Sequence, residues 1–414
     1  MFLIGVACLI TFLALSSPNK QLSQGNNGSR SSQGQSFEIE KPKTSENWYL
    51  TSIVLIDGDA TGVGAHNWTW AWFQPWCYGN GTLADPYIIE NTSIIVNSAS
   101  PGLTIRDSGK YFSITNITIT NSNANGNGLY ILNVENGTIE DGNFLNNGND
   151  GILITNTNFT ALTDILATGN GDDGIHMTWS VMNTIDASNC SENTDDGIYM
   201  GNCTYNNITS SYFQWNGEDG LYIEDSDLNV LIIEADDNNG TGLVLMDSDS
   251  CIVDNGEFWN NVMAGILLAE DDGDTVNNTI TDNLLSGNGI NGADNSTGTN
   301  DWDGNEWGDY PYYDGNDDGI GDLPYISGNI EDDYPIFSDG PEPLVVLDEE
   351  DDVEDLFEDE KTVPKTIDST TIVLIVAVGI LCVAIVMLLY LGGVKPKIRN
   401  RGRKTIKSKN KRKR

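Results

Sequence analysis

A glycine followed by an apolar–any–apolar triplet recurs at nearly constant intervals along the middle of the chain. The intervals are 26 residues, then 23 four times, then 22, 23 and 24. Such a unit is too short for a helix pair, and its many Asn, Asp, Gly, Thr and Ile residues favour short strands joined by turns. The spacing predicts an all-β solenoid, a right-handed single-stranded parallel β-helix. The glycines are Gly102, Gly128, Gly151, Gly174, Gly197, Gly220, Gly242, Gly265 and Gly289.

The triplets predict which side chains form the core. Successive residues of a strand point to opposite faces, so the first and third residues, such as Ile152 and Ile154, are expected to face inward. The middle residues are expected to face solvent.

An asparagine stands four residues before six successive glycines. Stacked amides can hydrogen-bond along the axis of a solenoid, as they do in cross-β stacks. The pattern therefore predicts a structural ladder at one turn, made of Asn147, Asn170, Asn193, Asn216, Asn238 and Asn261.

The two ends of the chain carry apolar runs with different predicted roles. Residues 1–17 are short and end in a small–x–small site typical of signal peptides. Residues 370–393 contain about twenty consecutive uncharged, mostly apolar residues, enough for a transmembrane helix. The basic tail, 394–414, is expected to stay in the cytoplasm. The sequence thus predicts a single-pass protein of the cell membrane whose β-helix faces outward.

The remaining segments complete the predicted order of domains. Residues 18–47 read as a flexible polar segment and residues 48–98 as an N-terminal cap containing several tryptophans. Repeats follow over 99–290, a C-terminal cap with an Asp-rich loop over 291–340, and an acidic stalk over 341–369. A solenoid needs such caps because its terminal coils would otherwise expose strand edges.

Charge excludes one class of partner. The formal net charge is -41, and twelve of the 20 Lys and Arg residues fall within 395–414. No cation occurs between Tyr111 and Glu360, so this stretch cannot bind nucleic acid by neutralising phosphates.

Outward exposure predicts two kinds of covalent modification. About a dozen Asn-x-Ser/Thr sequons suggest glycosylation of some sites, including Asn67, Asn80, Asn116, Asn158, Asn207 and Asn277. An oxidising compartment would permit disulfides among Cys77, Cys190, Cys203 and Cys251, with three possible pairings.

The chain resembles the right-handed β-helix repeat proteins of the NosD and pectin-lyase-like type, especially surface proteins of archaea. The resemblance runs from Gly79 to Phe337. Its entry segment is GNGTLADPYIIENTSI, and its exit runs from Trp302 through WGDY and DGNDDGIGDLPY to Asp333-Tyr334-Pro335. The family's copper-delivery role is not expected here, because His66 and His176 are the sole histidines and soft copper sites need several N or S donors.

Carboxylates precede the glycines in four successive coils. Asp173, Asp196 and Asp219 are the candidate catalytic residues if the protein is an enzyme, since paired carboxyl groups on neighbouring coils suit glycoside hydrolysis. The alternative is structural, because Asn-Asp-Gly suits a turn with positive φ. A lyase acting on polyuronates is not expected, because basic residues are lacking.

Aromatic side chains occupy the middle of neighbouring triplets. His176, Tyr199 and Tyr222, beside Trp179, are predicted to form a carbohydrate-binding platform. The alternative for His176 is an exposed strand residue whose partner, if any, the sequence does not identify.

The exit segment contains an EF-hand-like spacing. Asp314, Asn316 and Asp318 precede Gly319, Ile320 offers a carbonyl and Asp322 follows, although Tyr325 replaces the usual final glutamate. This predicts a weak, structural calcium site.

Three functions follow from these patterns. The leading prediction is a non-enzymatic surface protein that binds an extracellular glycan or another component of the cell envelope. A glycoside hydrolase acting on neutral polysaccharide is the second, and a purely structural envelope component is the third.

Overall fold

The computed structural model describes residues 47–311, 313–316 and 318–337. The predicted signal peptide, stalk, transmembrane helix and basic tail lie outside these residues. Within the described part of the chain, no helix combines the length and apolar character that crossing a bilayer requires.

The described residues form one short helix and a long series of strands. The elements are α1 (Trp68–Phe73), β1 (Trp48–Leu50), β2 (Val54–Asp57), β3 (Cys77–Tyr78), β4 (Tyr87–Val96), β5 (Leu103–Ser108), β6 (Phe112–Asn121), β7 (Leu129–Val134), β8 (Gly137–Leu145), β9 (Ile152–Thr155), β10 (Ala161–Thr168), β11 (Ile175–Thr178), β12 (Thr184–Asp186), β13 (Ile198–Gly201), β14 (Asn207–Gln214), β15 (Leu221–Glu224), β16 (Val230–Asp236), β17 (Leu243–Met246), β18 (Ile252–Asp254), β19 (Glu257–Trp259), β20 (Ala264–Ala269), β21 (Thr279–Thr281), β22 (Leu284–Ser286), β23 (Ile290–Asp294), β24 (Asp301–Asp303), β25 (Glu306–Trp307), β26 (Tyr325–Ser327) and β27 (Ile330–Asp332).

Two parallel sheets run the length of the solenoid. The first sheet follows the order β1-β4-β6-β8-β10-β12-β14-β16-β18-β21-β24, and the second follows β2-β5-β7-β9-β11-β13-β15-β17-β20-β23. Alternate strands of the chain therefore enter alternate sheets, which confirms the predicted parallel β-helix, here of about ten coils. Parallel pairing begins before residue 99 and continues past residue 290, beyond the predicted repeat region.

The core lies between the sheets and contains the predicted triplet residues. Ile152, Ile175 and Met177 are fully buried, and Ile154 is 1% exposed. The middle residues are less exposed than predicted: Val244 is buried, and its counterparts in neighbouring coils are only half-buried. Strand pairing places each middle side chain directly against its equivalents above and below, and this contact removes surface from solvent.

The asparagine ladder is confirmed and is longer than predicted. The Nδ2 and backbone N–H groups of Asn170 donate to Oδ1 of Asn193 at 3.0 and 3.1 Å, and the bond pattern repeats along the column. The structure adds Asn121 and Asn288 at its two ends, where the spacings are 26 and 27 residues. A second ladder joins Asn183, Asn206 and Asn229 at the opposite turn. Each buried donor thus finds an acceptor in the next coil.

The repeated glycine is required by close contact. None of the triplet glycines has positive φ, nor does the aspartate before them, so the prediction of a positive-φ turn is wrong. A Cβ on Gly174 would lie 2.6 Å from the carbonyl oxygen of Gly197 and 2.7 Å from Nδ2 of Asn193. The coils approach one another too closely here for any side chain.

Aromatic residues cover the core at both ends of the described solenoid. Trp68 of α1 stacks on Tyr87 at 4.7 Å and donates its indole N–H to Oγ of Ser108 at 2.7 Å. Near the other end, Trp307 stacks on Tyr325 at 4.0 Å. These contacts are of the kind that caps make, and the assignment of caps stays a prediction.

The cysteines contribute to packing. Cys190, Cys203 and Cys251 are completely buried thiols that form no disulfide, and burial raises the pKa of Cys203 and of Cys251 to about 12. Cys203 donates its S–H to the carbonyl oxygen of Met177 in the preceding coil.

Replacing Gly174 with alanine tests the close contact between coils. We expect a loss of about 2–3 kcal/mol in the free energy of unfolding, because overpacking against backbone cannot be relieved by a side-chain rotation. Gly109→Ala is the control, since a Cβ there meets no atom within 4 Å. Chemical denaturation measures both variants, and equal stability of the two would contradict the contact.

Candidate functional site

The second sheet brings three predicted site residues into one column. Register pairs His176 of β11 with Tyr199 of β13, and Tyr199 with Tyr222 of β15. His176 and Tyr199 stack with ring centroids 4.6 Å apart and an interplanar angle of 19°. Tyr199 and Tyr222 stack at 5.8 Å and 7°.

This stacking changes what the column can bind. Rings that lie parallel in successive coils cover one another's faces, so a sugar can reach their edges and polar tips but not the faces between them. Tyr199 also donates its hydroxyl to Oε2 of Glu224 at 2.8 Å. A Cβ on Gly201 would lie 3.0 Å from that hydroxyl, so the glycine leaves room for the ring. The column is a firmly packed element, unlike the open platform that the sequence predicts.

His176 has a partner that the sequence did not identify. Its Nδ1 lies 2.8 Å from Oδ2 of Asp173 in the same coil. Burial lowers the pKa of His176, but the hydrogen bond to Asp173 and the charges of Asp173 and Asp150 outweigh burial, so the net shift is upward.

Trp179 lies outside the column. It follows β11 at the corner between the two sheets, its φ is 55° and 59% of its surface is exposed. Its equivalents in the neighbouring coils are Asn156 and Asn202, which also have positive φ. Trp179 is the one member of the predicted set that offers an open ring face.

A second column of bulky side chains lies at this corner, three positions further along the chain than Trp179 and its equivalents. Phe159, Met182, Tyr205 and Leu228 occupy equivalent positions in four successive coils, with φ values of 54°, 58°, 58° and 60°. Phe159, Tyr205 and Leu228 are at least 40% exposed. Bulky residues rarely adopt this conformation. We call Phe159, Trp179, Met182, Tyr205 and Leu228 the aromatic corner.

Sequence analysis missed four of these five residues. The signal was present, because Phe159, Met182, Tyr205 and Leu228 follow each other at 23-residue intervals. These residues lie several positions after each triplet, in a turn, where the alternation of inward and outward side chains does not apply.

The acidic residues before the glycines form a hydrogen-bonded ladder. Oδ1 of Asp173 accepts the backbone N–H of Asp196 at 3.0 Å, and Oδ1 of Asp196 accepts that of Asp219 at 2.8 Å. Asp173 and Asp196 are 3% and 7% exposed. Each carboxyl therefore joins its coil to the next, a structural role that differs from the positive-φ turn predicted from Asn-Asp-Gly.

Burial and mutual repulsion shift these carboxyl groups strongly. Burial, with the charge of Asp173 and other neighbours, raises the pKa of Asp196 to about 8. Burial raises the pKa of Asp195 to about 6 and also raises the pKa of Asp219. The charges of neighbouring carboxylates contribute to both upward shifts. Asp196 is thus largely protonated at neutral pH.

In the predicted calcium loop, the side chains accept hydrogen bonds from the backbone of the same loop. Asp314 accepts the N–H of Gly319 at 2.7 Å, Asp318 accepts that of Ile320 at 3.0 Å, and Asp322 accepts that of Gly315 at 2.9 Å. Asn316 donates its amide to Asp318 at 3.0 Å. Among the described residues, the loop does not supply three carboxylates with ligand atoms within 4.8 Å of one another.

Comparison with known proteins agrees with the fold. The family model described as a right handed beta helix region matches residues 101–236. No relative was found among curated proteins.

Several solved structures are similar to this chain at low identity. A variant of the periplasmic alginate epimerase AlgG is 12% identical, with a TM-score of 0.44 over 52% of this chain and 62% of that one. A protein of Geobacillus virus E2 is 14% identical, with a TM-score of 0.48 over 59% and 58%. Pectate lyase Pel9A is 13% identical, with a TM-score of 0.40 over 65% and 82%. This chain spans about three fifths of the epimerase and of the viral protein.

The protonation of Asp196 predicts that stability falls as pH rises. A carboxyl whose pKa is higher in the folded state binds its proton more tightly there. Its proton therefore stabilises the folded state fully below about pH 4, and this stabilisation is lost as the pH rises to about 8. We expect the melting temperature in chelator to decrease between pH 5 and pH 9. Asp196→Asn should flatten this dependence, because the amide imitates the protonated acid and keeps the acceptor for Asp219. Asp164→Asn, at an exposed position, should leave the pH dependence unchanged, and an unchanged slope in Asp196→Asn would refute the assignment.

Proposed function

We propose that residues 48–337 form a glycan-binding domain and that a neutral glycan lies on the aromatic corner. The observation that supports this most is the presence of Phe159, Trp179 and Tyr205 at exposed positive-φ positions. An aromatic face with amide neighbours suits a pyranose, because apolar sugar carbons cover the ring while the hydroxyls reach polar groups.

The charge pattern favours a neutral ligand. The corner segments 156–159, 179–182 and 202–205 contain no Asp, Glu, Lys or Arg, although the chain carries a net charge of -41. Glu135 precedes this neutral surface, and Asp225 and Asp227 follow it. A polyuronate would be repelled by these carboxylates, whereas a neutral polysaccharide meets only aromatic rings and hydroxyl or amide groups.

The column of His176, Tyr199 and Tyr222 is a second contact region for the same ligand. Burial raises the pKa of Tyr222 to about 12 and also raises that of Tyr199, with Glu224 adding to both, so both phenols remain neutral. Their edges and hydroxyls can therefore contribute hydrogen bonds, while Trp179 contributes the ring face.

Exchange of the exposed tryptophan tests the glycan site. Trp179→Ala should weaken binding of a neutral oligosaccharide at least about tenfold, or ~1.4 kcal/mol, without lowering the melting temperature. Trp215→Ala is the matched control, because Trp215 is 58% exposed, has a φ of 56° and lies on another corner. A glycan array followed by calorimetry provides the ligand and its affinity.

Three outcomes would contradict the corner site. Equal loss of binding in the Trp179 and Trp215 variants would indicate non-specific contact. Loss only in the double variant Tyr199→Ala and Tyr222→Ala would place the glycan on the column. Absence of binding to all glycans, with the fold intact, would favour the purely structural role.

Glycoside hydrolysis is the second candidate function. Asp196, protonated at neutral pH beside Asp173 and Asp219, has the property of a general acid. Its burial and its bond to the backbone of Asp219 favour the structural role instead. Product analysis of neutral polysaccharides incubated with the protein decides, since a hydrolase releases shorter fragments and a binding protein does not.

We place this domain outside the cell, on the acidic stalk and the single transmembrane helix that the sequence predicts. The support is the basic tail after the apolar run, since such tails remain in the cytoplasm. Protease added to intact cells should remove the domain and spare a tag placed after Arg414; digestion of that tag would contradict the topology.

We propose that the loop of Asp314, Asn316, Asp318, Ile320 and Asp322 binds calcium weakly and stabilises the end of the solenoid. Gly319 has a φ of 84°, as the sharp turn of such a loop needs, and the sequence contains no Lys or Arg between Tyr111 and Glu360.

The melting temperature should accordingly rise with calcium. Binding only to the folded state adds about 2.7 kcal/mol at a hundredfold excess over Kd. Asp318→Ala should abolish most of this rise, while Asp164→Ala should retain it. Identical melting of the parent in millimolar calcium and in chelator would leave this loop as an acidic turn.

A further inference from the structure

Asp150, Asp173 and His176 meet at one point on the edge of the second sheet. One ligand atom from each lies within 4.8 Å of the other two. Asp150 and Asp173 are each 3% exposed, and the histidine is half-buried above them. The site is thus an imidazole and two buried carboxylates, provided by two successive coils.

The carboxyl of Asp150 is bonded less completely than those of the next two coils. Asp173 and Asp196 each use Oδ1 to accept a backbone N–H from the next coil, at 3.0 and 2.8 Å. Oδ2 of Asp150 accepts the side-chain N–H of Asn149 at 3.2 Å, whereas its Oδ1 is buried without a hydrogen-bond partner in the described part of the chain. A buried carboxylate oxygen without a donor costs free energy, and a bound cation removes this cost.

The surroundings strengthen the need for a cation. Asp172 and Asp195 lie on the same edge, with ligand atoms within 4.8 Å of Asp173. The nearest basic residues in sequence, Arg106 and Lys110, belong to earlier coils, and Arg106 is paired with Asp57 at 2.7 Å. Four carboxyl groups therefore share a single imidazole.

From this geometry we infer that Asp150, Asp173 and His176 bind a divalent metal ion of the first-row series, such as Zn²⁺. Two carboxylate oxygens and one imidazole nitrogen suit such ions, whereas Ca²⁺ and Mg²⁺ take oxygen ligands. The ion holds Asp150 against Asp173 and supplies the partner that Oδ1 of Asp150 lacks among the described residues. Asp172 lies close enough to orient the bound ligands, and further coordination positions remain for water or a sugar hydroxyl.

This site is distinct from the calcium loop, and it shares His176 with the aromatic column. It differs from the loop in position and in donor set, since the loop offers oxygen alone. Its presence beside the stacked rings of His176 and Tyr199 also means that metal binding fixes the base of the aromatic column.

Metal titration of the full-length protein, purified without a histidine tag and treated with chelator, tests the inference. We expect one saturable Zn²⁺ site by calorimetry in the presence of millimolar Ca²⁺, which occupies oxygen-only sites. His176→Gln and Asp150→Asn should each weaken it at least about tenfold, since loss even of second-shell partners costs about 10–100-fold. Asp219→Asn, on the same ladder but two coils away, should bind Zn²⁺ like the parent.

Cobalt supplies a readout that a purely structural role of His176 would not change. Co²⁺ bound by the parent should give visible d–d absorption that disappears on addition of Zn²⁺ and is absent in His176→Gln. Circular dichroism verifies that both variants are folded; because the amide of Asp150→Asn keeps the shape of the acid, that variant tests the site even if His176→Gln unfolds.

Two results would overturn the site. One is Zn²⁺ binding that is unsaturable or unaffected in both variants. The other is that the parent protein binds no Zn²⁺ and is as stable as Asp150→Asn. This result would show that a proton alone satisfies Asp150.

Discussion

Hydrogen bonding from each coil to the next is the interaction on which the rest of this structure depends. The Asn ladder shows it most clearly, because one side-chain oxygen accepts two N–H groups from the preceding coil. Such a bond forms only when equivalent residues lie one above the other, so the ladder fixes coil length at 22 or 23 residues through most of the solenoid. The glycine beside it allows the close approach that the bond requires. Every side-chain column, including the candidate site, inherits its register from this contact.

The same stacking imposes an electrostatic condition on the acidic edge. Asp residues repeated at the coil period bring like charges together in a chain with no cation from Tyr111 to Glu360. Backbone N–H donors relieve part of the repulsion at Asp173 and Asp196, and protonation relieves more, as the raised pKa of Asp196 indicates. Oδ1 of Asp150 has no hydrogen-bond donor among the described residues, so a proton or a cation would relieve the cost of burying it. Protons and ions therefore favour the folded state of this edge.

The sequence predicted the parts of the molecule that repeat with the coil. The inward triplets and the central Asn ladder followed from periodicity, because burial and axial hydrogen bonding both require the same residue at the same place. The repeat period gives no information about side-chain orientation, so the stacking of Tyr199 on Tyr222 could not be predicted from their spacing. Nor does it distinguish a glycine needed for positive φ from one needed for close contact, and Gly174 proved to be the second kind. The hydrogen bond between His176 and Asp173 joins a strand residue to a turn residue. The sequence patterns for strands and for turns were interpreted separately, so they did not predict this contact.

Departures from the repeat carry the functional information, because the backbone of each coil is nearly the same. At the corner position that precedes Ser180, asparagine occupies the coils on either side, and Asn156 donates to Asn133 at 2.7 Å. Trp179 interrupts that favourable series with a residue that is less suited to positive φ and exposes a large ring. Neither core packing nor the ladder requires a tryptophan there, since Asn202 adopts the same backbone one coil later. A residue that worsens local conformation and solvation without improving packing points to a role other than stability. The coils that keep asparagine thus provide the structural reference, and the departure from it at Trp179 is the reason for placing this ring at the centre of the proposed glycan site.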